Sequence, residues 1–442
     1  QEQHTKGDDE EHLFRDSPAP KFPGSVRNKF VRYGHWSFYV GVQRDTGVRF
    51  FDIRFDSRLM VAEAGLEEIV TIYHGDNPLA DRTVSLASVQ GVGEMWSELS
   101  PGVDCPADAV YLSVPMVGDP TNGPFTIRRG LCLFESDAPT HGGANRRFFG
   151  LSEGADGSEG SEAPAGYASG MHEPSLLVVG IATLLTNQYR FTAVFTPAGG
   201  IDMHVTPTTY VHFDLPMRDG FTPAFSEPAL QTTNFLFYLD LDVISERNTV
   251  EELRAGSTRD PLAEMSMYRR LVHSEEEEEP VTNVGQNTVV KHTLVCSEVG
   301  GKHRCMQVSF STQTPVLFNE ENTEAFSWIR KGLWVSRYQE DEMRGSSVYN
   351  GVDISQPLVN FSSFTENNES IHNEDVVIWA NLASIHVPSR EDYPHAFMST
   401  LSQRITLKPV NFFSYSPDRF SHRQVFTESV SPPVVLAYSL LC

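Results

Sequence analysis

Two aspartates spaced by one residue, Asp240 and Asp242, close the run Phe235-Leu236-Phe237-Tyr238-Leu239. Residues i and i+2 of a strand project from one face, so the two carboxylates stand together and suit a hard cation held by oxygen. Spacing alone is also met by a solvated strand end. Cys296 and Cys305 lie symmetrically about Gly300-Gly301. A two-residue hairpin there sets them opposite each other, within bridging distance. Asn360-Phe361-Ser362, in an expected strand, and Asn368-Glu369-Ser370, in a polar turn, are acceptor sequences for N-glycosylation. Paired cysteines with such acceptor sequences point to a secreted, extracellular protein.

The elements that must position these residues read as strands. Thr183–Val205 is two β-strands joined by Pro197-Ala198-Gly199-Gly200. Trp36, Phe38, Val40 and Val42 alternate along one face, Arg44-Asp45-Thr46-Gly47 turns the chain, and Val48–Phe55 returns it. Arg58–Tyr73 supplies one or two further elements. Residues 1–22 are polar and acidic and read as a disordered tail. The Gly-, Ser- and Glu-rich stretch 137–175 reads as a mobile insertion, because it has little apolar surface to bury. The acidic run Glu275–Glu279 is otherwise a solvated charge run.

Composition excludes whole classes of partner. The chain has 442 residues, a net charge of −24 and a hydrophobic fraction of 40%. An acidic surface repels phosphate backbones and anionic lipids, so neither nucleic acid nor membrane surface is an expected partner. No apolar run reaches ~18 residues, so no membrane span is expected. Length alone allows about three domains, although β-sandwiches run long as single ones. The chain opens on Gln1 without Met, which reads as a processed product.

Several motifs resemble one family. Val194-Phe195-Thr196-Pro197-Ala198-Gly199, Phe51-Asp52-Ile53-Arg54-Phe55, Gly102-Val103-Asp104-Cys105-Pro106 and Lys408-Pro409-Val410-Asn411-Phe412-Phe413 are similar to stretches of the copper-containing (topaquinone) amine oxidases. So is Ile385-His386-Val387-Pro388-Ser389-Arg390-Glu391-Asp392. The resemblance runs from Lys21 to Asp418 and covers that family's C-terminal catalytic domain. It implies a mostly β fold, a large antiparallel β-sandwich over residues 23–442, forming a homodimer by exchange of hairpin arms. It implies a disulfide between Cys105 and Cys132, which leaves Cys442 free for an inter-chain bridge. The smaller domains that precede this one in the family imply an N-terminal fragment of the same precursor, able to stay associated.

The same resemblance places the chemistry, and the chain departs from it. The tyrosine that matures to topaquinone falls on Asn187, an amide with no phenol to oxidise. The catalytic base falls on Ala87, whose methyl group accepts no proton. Two of the three copper histidines fall on Gln231 and Thr233, and the third is His386. Cu(II) prefers imidazole, so copper and topaquinone are expected to be absent. His386 then reads as a satisfied core histidine. Calcium is expected instead, at a first site of Asp240, Asp242, Asp375 and the carbonyls of Leu241 and Val376. A second site would use Glu275, Asn367, Glu369 and the carbonyl of Thr365. The implied function is a secreted pseudoenzyme of the diamine-oxidase-like branch, a structural or binding component of a secretion such as seminal fluid. The alternative is an active primary-amine oxidase with rearranged parts, in which Tyr189 replaces the cofactor tyrosine and His204 or His212 supplies a ligand. A third reading keeps the old active-site cavity as an amine-binding pocket.

Overall fold

The computed structural model describes residues 23–74, 84–117, 123–136, 146–151, 166–171, 174–184, 187–210, 230–257, 265–275, 291–310, 324–386, 395–397, 402–414, 417 and 424–430. The tail 1–22, His212, the run 276–279, residues 387–394 and Cys442 lie outside them.

Alternation builds the sandwich. In the strand Trp36–Gln43 the residues Trp36, Phe38, Val40 and Val42 are buried and their neighbours are not, as a strand with one face on a core requires. One sheet runs in the order Ser25–Arg27, Phe30–Tyr33, Trp36–Gln43, Gly47–Phe55, Arg58–His74, Leu230–Asp240, Val376–His386 and Leu333–Arg337. The second runs Met265–Val272, Asn248–Ser257, Lys291–Ser297, Arg304–Phe310, Gln403–Val410, Ile201–Tyr210, Asn187–Phe195, Ser175–Leu184, Phe125–Ser136 and Val110–Met116. Every strand pairing along both is antiparallel.

The two sheets meet through aromatic side chains. Phe195 of the second sheet stacks on Phe38 of the first with ring centroids 4.2 Å apart, and meets Phe50 and Trp36 edge-on at 5.6 and 5.3 Å. Trp36 Nε1 donates to the carbonyl of Thr196 at 2.8 Å, so its polar atom is satisfied where its ring is buried. The outer face of the first sheet is covered by residues 324–332 and 338–364, where Trp328, Phe361 and Phe364 pack in one cluster with Tyr238, Trp334 and Trp379 of the sheet. Strand Leu230–Asp240 is therefore buried on both faces.

Helix is confined, among the described residues, to single turns such as Ala87–Gln90 and Ser363–Glu366. After Ala87–Gln90 the chain docks on the Arg44–Thr46 turn, with Val92 and Gly93 donating to the carbonyls of Asp45 and Arg44. A Cβ on Gly93 would lie 1.9 Å from the carbonyl oxygen of Gln43, so glycine is required there. Both disulfides, Cys105–Cys132 and Cys296–Cys305, are present. No helix among the described residues is long and apolar enough to cross a membrane.

Several expectations are corrected. Thr183–Val205 spans three strands rather than two, because Leu184 ends one strand and stands opposite Asn187, which begins the next. Cys296 and Cys305 do face each other, but the connection is longer than a two-residue turn and includes the 3-10 turn Val299–Gly301. Asn360 lies in a turn before Ser363–Glu366, where Asn360 Oδ1 accepts from Ser362 N at 3.2 Å, and not in a strand. The 137–175 stretch contains two strands. Arg146–Leu151 and Gly166–Met171 pair with each other and, through the latter, with Gln424–Val430. The physical reason is that Phe148, Phe149 and Tyr167 are β-formers the average composition of the stretch conceals.

Candidate functional site

The ladder between Leu230–Asp240 and Val376–His386 sets Gln231 directly opposite His386, and Thr233 opposite Ser384. All four are buried. Gln231 Nε2 donates to Thr233 Oγ1 at 3.5 Å, and Ser384 Oγ to the carbonyl of Thr233 at 3.5 Å. Thr71, from the strand on the other side, lies 3.4 Å from Thr233 Oγ1 and 3.4 Å from the hydroxyl of Tyr189. Tyr189 reaches across from the opposing sheet with its ring edge-on to Phe235. Asn187 is two residues earlier on the same strand, so its side chain shares the face of Tyr189.

The chemistry of this cluster is that of hydrogen bonding. It holds hydroxyls, two amides and one imidazole. Cu(II) takes nitrogen ligands in preference to hydroxyl or amide oxygen, so this donor set does not fit copper. His204, the alternative ligand, stands opposite Thr192, whose parity along the strand is opposite to that of Tyr189. It therefore lies on the other face of the sheet. A cavity of about 20 Å³ lies between the sheets, lined by Val48, Phe50, Phe191 and Phe237. None of Gln231, Thr233, Asn187 or His386 lines it, and it has room for about one water-sized molecule.

Ala87 opens a one-turn helix and is buried. Beside it is a carboxyl that the sequence reading missed. Glu68 Oε1 accepts from the backbone N–H of Ser88 and of Ile69, each at 2.9 Å. Burial pushes the Glu68 carboxyl up, and hydrogen bonds from Ser88 and Ser346 partly offset it. The adjoining Glu67 meets Arg49, which also donates to Glu63 at 2.7 Å, and accepts from Gly345 N at 3.1 Å. Arg344 stands 3.5 Å from the same Glu67. This network pins residues 344–347 to the strand Arg58–His74. The signal was available as two adjacent acids within an apolar run, but acids in strands read first as solvated.

At the far end of the same ladder is an acidic cluster. The strand ends at Asp240, yet alternation continues, with Leu241 and Val243 in the core and Asp240 and Asp242 turned the other way. Asp375, just before the paired strand, joins them, and carboxylate oxygens of all three lie within 4.8 Å of one another. Burial, then the charges of Asp242 and Asp375, pushes the Asp240 carboxyl up to about 8. Burial with Glu246 raises Asp242 to about 6, and burial with Asp242 and Glu246 raises Asp375 to about 6. The Oδ1 atoms of all three are buried and, among the described residues, without a hydrogen-bond partner. Three clustered carboxylates, each with a buried oxygen left without a protein donor, are the donor set a hard cation needs. The carbonyl of Leu241 accepts from Val243 N at 3.1 Å and keeps a second lone pair. Val376 pairs with Arg337 in the ladder.

The second acidic set is drawn together by protein donors. Glu275 accepts from Arg337 N and Glu369 N, each at 2.9 Å, and Glu369 accepts from Gln339 Nε2 at 2.9 and 3.2 Å. The carbonyl of Thr365 accepts from Asn368 N at 3.2 Å, and Asn367 and Asn368 are exposed. Glu342 nearby is pushed up to about 7 by burial and then by Glu275, Asp341 and Glu369.

Comparison with known proteins gives one answer. The family model for the copper amine oxidase enzyme domain matches residues 25–428. The chain is 30% identical over 427 residues to the Homo sapiens protein amine oxidase (copper-containing) 3, covering 92% of this chain and 53% of that one. It is 28% identical over 440 residues to the Mus musculus diamine oxidase (copper-containing), covering 94% and 55%. An Aspergillus nidulans amine oxidase structure superposes with a TM-score of 0.76 at 25% identity, over 95% of this chain and 57% of that one. The chain thus spans about half the length of the curated relatives it matches.

Proposed function

The chain belongs to the copper amine oxidase family through its enzyme domain, and from that premise we propose that it is a secreted, catalytically inactive member, a structural or binding component of a secretion. The observation that carries this reading is Gln231 standing directly opposite His386, with Thr233 two residues on. An amide and a hydroxyl occupy the places where the family resemblance expects imidazoles. Ala87 and Asn187 remove base and cofactor precursor independently, and any one of these losses is enough to stop turnover.

What the scaffold keeps is cation chemistry. Asp240, Asp242 and Asp375, with the carbonyls of Leu241 and Val376, would hold Ca²⁺, whose charge would offset the mutual repulsion that raises their carboxyls. Such an ion would tie the end of Leu230–Asp240 to the start of Val376–His386. A second ion at Glu275, Asn367, Glu369 and the Thr365 carbonyl is proposed on proximity, each carboxylate oxygen keeping a second lone pair. The two disulfides and the exposed Asn368 support the secreted reading. A homodimer, an associated N-terminal fragment and an inter-chain bridge through Cys442 belong to the same proposal.

The competing reading is a working amine oxidase, favoured by the Tyr189 hydroxyl lying 3.4 Å from Thr71 Oγ1, which in turn lies 3.4 Å from Thr233 Oγ1. Copper analysis, a redox stain for quinone and peroxide release from primary amines decide between them. The inactive reading predicts no stoichiometric copper and no stain. One copper per chain with a redox-active quinone overturns it.

A further inference from the structure

The two disulfides have different surroundings. Cys105–Cys132 is packed among apolar residues such as Leu99, Leu177 and Val194. Cys296–Cys305 packs with Leu294 and lies beside two potential metal ligands. His303 Nε2 is 3.4 Å from Cys305 Sγ and 3.2 Å from Glu251 Oε1. Both sulfurs, this nitrogen and a Glu251 oxygen lie within 4.8 Å of one another.

These edges have the size of a tetrahedron around zinc. With Zn–S of about 2.3 Å and Zn–N or Zn–O of about 2.0–2.1 Å, the S···N and N···O edges are about 3.5 and 3.3 Å. A second feature points the same way. His303 Nδ1 lies 3.6 Å from Glu298 Oε1, an outer carboxylate placed to accept from Nδ1–H once Nε2 binds a metal. The second Glu251 oxygen meets Arg269 at 3.5 Å, which orients that carboxylate too.

We propose that Glu251, Cys296, His303 and Cys305 form a redox-gated zinc site, closed to metal as a disulfide and opened when the bridge is reduced. The reductant is an external dithiol. Its thiolate attacks one cystine sulfur and breaks the S–S bond, and its second thiol then closes the reductant's own disulfide. Two electrons and two protons pass to the cysteine pair. Zn²⁺ displaces the two thiol protons to solvent and binds two thiolates, one imidazole and one carboxylate. The covalent link within one hairpin is thereby replaced by a coordinate link that also includes the strand Asn248–Ser257, through Glu251. The proposal stands apart from the calcium and pseudoenzyme readings.

The test uses the full chain, oxidised or reduced with excess dithiol and desalted without air, titrated with Co²⁺ and back-titrated with Zn²⁺. The expected result is one Co²⁺ per reduced chain, with thiolate-to-cobalt charge-transfer absorption and tetrahedral d–d bands, displaced by Zn²⁺ and absent from the oxidised chain. The Cys296→Ser/Cys305→Ser variant should lose the signal even though Cys105–Cys132 is still reduced. His303→Gln, which leaves both disulfides in place, should weaken Zn²⁺ binding by at least about tenfold after reduction. Unaltered affinity in His303→Gln, an undiminished band in the double variant, or loss of the β circular-dichroism signal on reduction overturns the proposal.

Discussion

Gln231 and His386 face each other across an antiparallel ladder, buried, with Thr233 next on the same face as Gln231. If those two positions are where imidazoles have been lost, restoring them should restore the metal. Gln231→His/Thr233→His is expected to bind Cu(II) at least about 100-fold more tightly than the parent, since even outer-shell partners are worth about 10- to 100-fold. Electron paramagnetic resonance should report nitrogen ligands, while amine oxidation stays absent because Ala87 and Asn187 are unchanged. Equal copper affinity in parent and variant sinks the assignment.

The acidic cluster predicts a pH dependence of definite sign. Asp240, Asp242 and Asp375 have folded-state pKa values of about 8, 6 and 6, above their unfolded value. The metal-free folded chain therefore holds more protons than the unfolded one. This contribution is fully present below about pH 4, declines as pH rises through the folded values and levels off above the highest. Calcium should matter most where the carboxyls are ionised, adding about 2.7 kcal/mol at a hundred times its Kd. Thermal melts with calcium or chelator at pH 5 and pH 8 check this. Asp240→Asn should raise metal-free stability at pH 8 and shrink the calcium shift to whatever the second proposed ion, at Glu275 and Glu369, contributes. A calcium shift undiminished by the substitution rules out this site.

Glu68 predicts a contrast between two substitutions. Its raised carboxyl means that its stabilising contribution is largest below the unfolded pKa and is lost as pH rises. Glu68→Gln keeps an oxygen for the Ser88 and Ile69 N–H groups, so it should be close to neutral at acid pH and stabilising at alkaline pH. Glu68→Ala leaves those donors unsatisfied in a cavity and should destabilise by about 2–5 kcal/mol. Denaturant melts at pH 5 and 9 measure both, and a stability loss for Glu68→Gln that grows with pH contradicts the account.

How far such features are legible depends on how local their cause is. The alternation of Trp36, Phe38, Val40 and Val42 and the pairing of Cys296 with Cys305 follow from period and spacing within one hairpin. Asp240 and Asp242 were visible as a pair, but Asp375 is far away in sequence and entered only through the family likeness. Arg49, Glu67 and Glu68 were invisible because their burial depends on residues 344–347 folding over the sheet. The average composition of 137–175 concealed two strands, since a mean over a segment hides short β-forming runs inside it.

The glycine at position 93 carries the last prediction. Its missing side chain lets residues 91–94 lie against the turn after Trp36–Gln43, with Gly93 N donating to Arg44 O at 2.9 Å. That contact sets where the helix from Ala87 begins, and so how Ser88 meets Glu68. An alanine methyl would overlap the backbone carbonyl of Gln43, which cannot rotate away without breaking the turn. Gly93→Ala should therefore destabilise by about 3 kcal/mol or more, in the range reserved for steric conflict with backbone. It should also raise amide hydrogen exchange at Ser88 and Gly91 before global unfolding. A change under about 0.5 kcal/mol, the size of an ordinary surface substitution, would mean that the loop does not rest on this turn.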